Sequence, residues 1–232
     1  EAIAAGFAGQ DVYPVTTKSG DGLVALFICD FQNASMGAHL ELQIAALAAP
    51  NAGHQIGDDP SAFFAAFARQ PNWGLLSLHL WNDTDPVLAY NNEYLGLQAE
   101  AMSGRIADDG NALSFSLADA TETLLVSGTI AAQSKSDVGF MLKVMWKMGF
   151  SAVRHAATQD FATAFLINRK GAVLDGNRCA RAMTGTESVV TRRFDRNVDH
   201  LEIHHPILAK YGFAPLALQY FDPFRFVYLH PD

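Results

Sequence analysis

Short runs in which apolar and polar residues alternate, or in which apolar residues stand together, recur along the chain between clusters of Gly, Pro, Asn and Asp. Residues 22–29, 39–45, 75–81, 87–97, 112–118, 122–131, 162–167, 188–194, 199–204 and 217–228 read as strands on this pattern. Gly20-Asp21-Gly22 and Asp108-Asp109-Gly110-Asn111 supply turn chemistry, because Gly, Asn and Asp tolerate the left-handed backbone of tight connections. So many short strands predict a mainly β (α+β) architecture. Helices are few. Asp59-Pro60 offers an N-cap followed by proline in the first turn, and Phe63, Phe64 and Phe67 form an apolar stripe to pack on the sheet. Residues 138–148, rich in Met and poor in β-branched residues, fit a helix better than a strand.

The 232 residues suffice for one large domain, and no repeat, low-complexity tract or linker divides residues 1–232. Half the residues are hydrophobic and 17% are charged, below the usual share of about a quarter, which predicts much buried surface or a buried homo-oligomer interface. A net charge of −8 without a Lys/Arg cluster argues against a nucleic-acid partner. No apolar run approaches the roughly 20 residues of a membrane span. The two cysteines, Cys29 and Cys179, fit reduced thiols at least as well as a bridge, and Cys29 lies in an apolar run. The chain begins at Glu1 with no signal-like segment, so its terminus reads as processed or trimmed. Its compartment is left open, with the cytoplasm favoured.

Alternation singles out several polar side chains. Along residues 39–45, Leu40, Leu42 and Ile44 share one face, leaving Glu41 and Gln43 on the other, either lining a cavity or facing solvent. His79 and Trp81 share a face of their strand and read as a second contribution to the cavity of Glu41. His200, Glu202 and His204 also share a face, and two imidazoles with a carboxylate suit zinc or iron. Leu201 and Ile203 mark the core side of that strand, however, which leaves the trio in solvent with no distant fourth ligand evident, so no metal site is expected. Nucleophile elbow, phosphate loop, Cys-x-x-Cys and dinucleotide fingerprints are all missing, and no cofactor is expected.

Residues 86–105 resemble the signature of the acetoacetate decarboxylase superfamily, G-R-E-x-W-G-x-P-K-K, whose first lysine forms a Schiff base with a ketone. Glu93, Gly96 and Leu97 fall on the E, G and apolar positions. Asn92 replaces the arginine, Leu95 the tryptophan, Gln98 the proline, Ala99 the nucleophilic lysine and Glu100 the second lysine. Upstream, residues 36–44 resemble the family's glutamate-bearing strand, with Glu41 in place and Ala38 or His39 where a tyrosine stands. Residues 73–81 look like the intervening strand and 215–228 like the closing one, so the similarity runs in order over residues 22–228.

The resemblance implies an antiparallel β-barrel with a few outer helices and a small-molecule carbonyl substrate. It places Glu41 and Glu93 on neighbouring strands as a carboxylate pair for proton transfer, in a cavity lined by Phe27, His79, Trp81, Tyr90, Tyr94 and Ala99. Imine chemistry is not expected at Ala99, and no arginine precedes Arg69 to hold a substrate carboxylate. Lys143 and Lys147, four residues apart, read as a solvated helix face rather than a relocated amine. The expectation is a divergent enzyme performing proton transfer, cyclisation, isomerisation or dehydration, with secondary metabolism as a natural setting; the alternative is a non-catalytic small-molecule-binding barrel.

Overall fold

The computed structural model describes residues 1–69, 73–131, 135–149, 161–167, 179–186, 189–222 and 224–229. A short helix α1 (Ala2–Gly6) precedes β1 (Tyr13–Pro14), β2 (Thr16–Thr17), β3 (Val24–Phe31), β4 (His39–Ala49) and β5 (Gln55–Ile56). Helix α2 (Pro60–Arg69), β6 (Gly74–Asn82), α3 (Asp85–Ala89) and a π-helix (Tyr90–Leu95) follow. Next come β7 (Glu100–Asp108), β8 (Ala112–Asp119), β9 (Leu124–Ala131) and α4 (Val138–Met148). The remainder holds β10 (Phe161–Ile167), β11 (Cys179–Thr186), β12 (Val189–Arg193), β13 (His200–Ile203), α5 (Pro206–Ala209), β14 (Ala217–Phe221) and β15 (Phe224–Leu229).

Strands β3, β4, β6, β7, β8, β9 and β13 pair in that order and curl into a half-barrel. All seven send apolar side chains to one cluster on the inner face, among them Leu26, Leu42, Ile44, Trp81, Met102, Phe115, Val126 and Leu201. The outer face of β4 and β6 carries a second cluster of Ala45, Leu47, Trp73 and Leu75, on which Phe63 packs from α2. The antiparallel expectation holds for most pairs, but β6 is a branch point with two parallel partners. Its last residues, Trp81 and Asn82, pair with Glu100 and Ala101 of β7, and Leu75 and Leu76 pair with Leu166 and Ile167 of β10. From β10 the sheet continues through β11 to β15.

Both expected helices form, each with an aspartate at its start. Asp59 accepts from the backbone N–H of Ser61 at 2.8 Å, and Asp137 from that of Phe140 at 2.9 Å. The helices pack on each other, with the rings of Phe64 and Phe140 edge to face at 5.8 Å. Phe63 and Phe64 are half-buried rather than fully buried, and the side chain of Phe67 lies outside the described residues. Outward from this pair, α4 exposes Val138, Leu142 and Trp146.

Residues 87–97 are not a strand. Thr84 stands at the N-cap and Pro86 lies in the first turn of α3, which runs directly into the π-helix and ends at Gly96 in the left-handed region, with φ 65°. Residues 217–228 likewise form two strands, not one, broken after Phe221.

Candidate active site

Glu41 lies near the start of β4, on the outer face of the half-barrel. Its neighbours on β4, Leu40, Leu42 and Ile44, belong to the inner cluster, so strand alternation turns Glu41 and Gln43 the other way. Cross-strand register sets Cys29 of β3 on one side of Glu41 and Asn82 of β6 on the other. The aliphatic face of this strand thus fills the barrel while the polar face lies outside it, the reverse of an expected polar lumen. Glu41 is only 8% exposed, and burial holds its carboxyl above the usual carboxylate range, against the opposing pulls of the Asn82 amide and of His39.

An amide chain reaches this carboxyl from behind. Asn91 Nδ2 donates to Asn82 Oδ1 at 2.8 Å, and Asn82 Nδ2 donates to Glu41 Oε2 at 3.2 Å; both asparagines are buried. Asn91 is fixed by the π-helix, where its carbonyl also accepts the N–H groups of Gly96 and Leu97. Such i→i+5 turns re-aim a side chain by inserting an extra residue, and here the side chain aimed inward is Asn91. Among the described residues, Oε1 of Glu41 accepts no hydrogen bond.

His39 and Cys29 complete the surroundings. His39 lies on the same face of β4 as Glu41, stacks on Phe31 with centroids 4.6 Å apart, and directs Nδ1 to the Gly37 carbonyl at 2.9 Å. Since a carbonyl only accepts, Nδ1 carries a proton in either charge state of the ring. Cys29 is a free thiol whose ionisation is pushed up by burial and then by Glu41, which leaves it inert as a nucleophile.

Four other expected site residues share this side of the sheet. Phe27 pairs with Gln43 and packs towards α2. Leu80, paired with Gln43 from the other strand, contacts a cluster containing Leu95 and Leu97, with Tyr90, Tyr94 and Ala99 packed against it. The two tyrosine rings stack at 5.1 Å. Asn92 clamps the backbone of Ala99, accepting from its N–H at 2.5 Å and donating to its carbonyl at 3.0 Å. The position aligned with the family's lysine therefore lies beside the face of Glu41.

Three residues stand elsewhere. Glu93 is exposed on the π-helix rather than on a strand next to Glu41, because the segment that carries it is capped as a helix. His79 and Trp81 do share a face, stacked at 5.5 Å, but it is the inner one, since Trp81 pairs with Leu42 and His79 with Ile44. His79 Nε2 there meets the Tyr211 hydroxyl at 2.7 Å. Of the possible metal trio, His204 bonds Ser127 at 2.9 Å and lies 3.6 Å from Glu202, while His200 is exposed. Among the described residues no three metal-binding side chains converge. Lys147 lies 3.7 Å from Asp59 and, with Lys143, borders a surface hollow of about 440 Å³ between α2 and α4. Sequence reasoning missed Asn82 and Asn91 as site residues; the signal that could have found Asn82 was a polar residue closing the apolar run 75–81.

No family model and no curated protein matches this sequence. Solved structures do. Acetoacetate decarboxylase from Legionella pneumophila superposes over 99% of this chain and 78% of its own, with TM-score 0.56 and 9% identity. An acetoacetate decarboxylase-like enzyme from Sphingomonas wittichii aligns over 94% of this chain and 80% of its own, with TM-score 0.43 and 10% identity. The enduracididine biosynthesis enzyme MppR aligns over 98% and 82%, with TM-score 0.42 and 10% identity. With its curled sheet matched almost end to end by the Legionella enzyme, this chain has the acetoacetate decarboxylase-like fold.

Proposed function

We propose that this protein is a divergent acetoacetate decarboxylase-like enzyme that moves a proton next to the carbonyl group of a small or medium ketone or keto acid, with Glu41 as acid and base and without a lysine imine. One observation carries this reading. Glu41 is a buried carboxyl with raised proton affinity, held through one oxygen by a chain of amides on the side of the sheet that also carries Ala99. A carboxyl of this kind keeps its proton to higher pH and removes one more strongly once ionised, which is what proton transfer at carbon requires. That the fold also serves acetoacetate decarboxylase, an enzyme named for a keto acid, supports the substrate class by analogy.

In the step we propose, ionised Glu41 takes a proton from the carbon beside the carbonyl and leaves an enolate. Once the proton on Glu41 has traded with solvent, delivery to the same carbon gives exchange, and delivery to another carbon gives isomerisation. Elimination of a β-hydroxyl from the enolate, with the proton carried to the leaving oxygen, gives dehydration. Phe27, Tyr90, Tyr94 and Ala99 are assigned to the substrate's apolar parts. Deuterium uptake beside the carbonyl, followed by NMR over a panel of ketones and keto acids, tests the proposal. Binding without exchange across the panel would replace it with a non-catalytic binding barrel.

A further inference from the structure

We infer that the amide chain from Asn91 through Asn82 decides which oxygen of Glu41 carries its exchangeable proton, directing it to Oε1 and making both asparagines positioning residues for the acid–base step. The inference rests on the reading of Glu41 as the group that moves protons. Its basis is geometric. A carboxamide has a donating end and an accepting end, so a chain of two has a direction. With Asn91 Nδ2 given to Asn82 Oδ1, the Asn82 oxygen is occupied and its NH₂ must point at Glu41 Oε2. A proton on Oε2 would meet that N–H group head on. Oε1 takes no hydrogen bond from the described residues, and Glu41 retains 8% exposure. It is therefore the oxygen left to exchange a proton with a reactant.

The groups facing Glu41 leave this direction in control. From its own strand comes His39, and from β3 the Cys29 thiol, which burial keeps protonated. From β6 it meets the neutral amide of Asn82, which Asn91 of the π-helix holds in turn, while Glu93 of that helix faces solvent. The orientation of Asn82 is the one element that a single substitution reverses without changing charge. In Asn91→Ala, Asn82 is released to turn its oxygen to Oε2 and trap the proton there.

Infrared titration of the whole protein reads this directly, with the Glu41 carboxyl band identified by its loss in Glu41→Gln. In the parent, the C=O of protonated Glu41 is Oε2, which accepts from Asn82 and so absorbs at lowered frequency. Asn91→Ala should move that band to higher frequency and raise its pH midpoint by about one unit, a tenfold gain in proton affinity. An unmoved band and midpoint in folded Asn91→Ala overturn the inference. Should that variant not fold, the nearly isosteric Asn91→Asp imposes the reversed chain, and the band frequency decides in the same way. Because the band exists without turnover, the two claims separate: a shifting band in a protein that exchanges no carbonyl protons upholds the chain and defeats the catalytic reading. A static band in an active protein does the opposite.

Discussion

Glu41 and Asn82 face each other across β4 and β6, the amide donating to the carboxyl at 3.2 Å in a site from which water is largely excluded. The relationship is unequal. One neutral hydrogen bond does not restore what burial removes, so the carboxyl holds its proton above its usual range. A group of this kind weakens the fold in its ionised form.

Stability should record that cost. With the Glu41 pKa higher in the folded than in the unfolded chain, the folded state binds more protons in the interval between the two values. The contribution of Glu41 is full below its unfolded value and is lost as pH rises through its folded one. Glu41→Gln should therefore be more stable than the parent at neutral pH, by about 1.4 kcal/mol for each unit of displacement, and lose that advantage in acid. Urea unfolding at several pH values checks this.

The buried pair of Arg192 and Asp199 should behave in the opposite sense. Asp199 is 1% exposed, and although burial pushes its pKa up, the Arg192 guanidinium and the N–H groups of Asp195 and Ala131 outweigh it and hold it below the usual range. Arg192 grips both carboxylate oxygens. Stability from Asp199 is present above its unfolded pKa and lost as pH falls through its folded one. Asp199→Asn should cost about 3–5 kcal/mol at neutral pH, because it leaves a buried guanidinium uncompensated. Thermal unfolding of the variant, and a smaller difference in acid, would show it.

Close packing at the far edge of the half-barrel makes a separate test of the fold. A Cβ on Gly128 of β9 would run into the His200 carbonyl of β13 and stand 2.5 Å from Phe115 Cζ. Gly128→Ala should destabilise by about 1–3 kcal/mol, in the range of an overpacked core. Unchanged stability would contradict the β9–β13 register.

Much of this was legible in the sequence. Alternation placed Leu40, Leu42 and Ile44 opposite Glu41, the Asp59-Pro60 cap placed α2, and a Met-rich run poor in β-branched residues placed α4. The segment 87–97 was misread because motif alignment overrode a local signal: Thr84-Asp85-Pro86 is the same cap-and-proline start that correctly located α2 at Asp59-Pro60. The face of His79 and Trp81 was out of reach for a different reason. Period-two patterning says which residues share a side but not which side is the core. β4 and β6 have apolar residues on both, and a bulge shifts their register between Ile44 and Ala45.

The missing lysine makes a chemical prediction. Borohydride treatment in the presence of acetoacetate should leave the intact mass unchanged, since Ala99 stands where the family's amine does and its backbone is clamped by Asn92. A substrate-dependent adduct mapped to Lys143 or Lys147 would show that the amine had moved to α4.

Deuterium exchange beside a carbonyl, compared between the parent, Glu41→Gln and Glu93→Gln, tests the central claim most directly. The account predicts exchange by the parent on at least one ketone or keto acid and a fall of about 10²–10⁴-fold in Glu41→Gln. Glu93→Gln, altering an exposed helical carboxylate, should cost far less. Parental exchange rates in a folded Glu41→Gln variant would contradict the account.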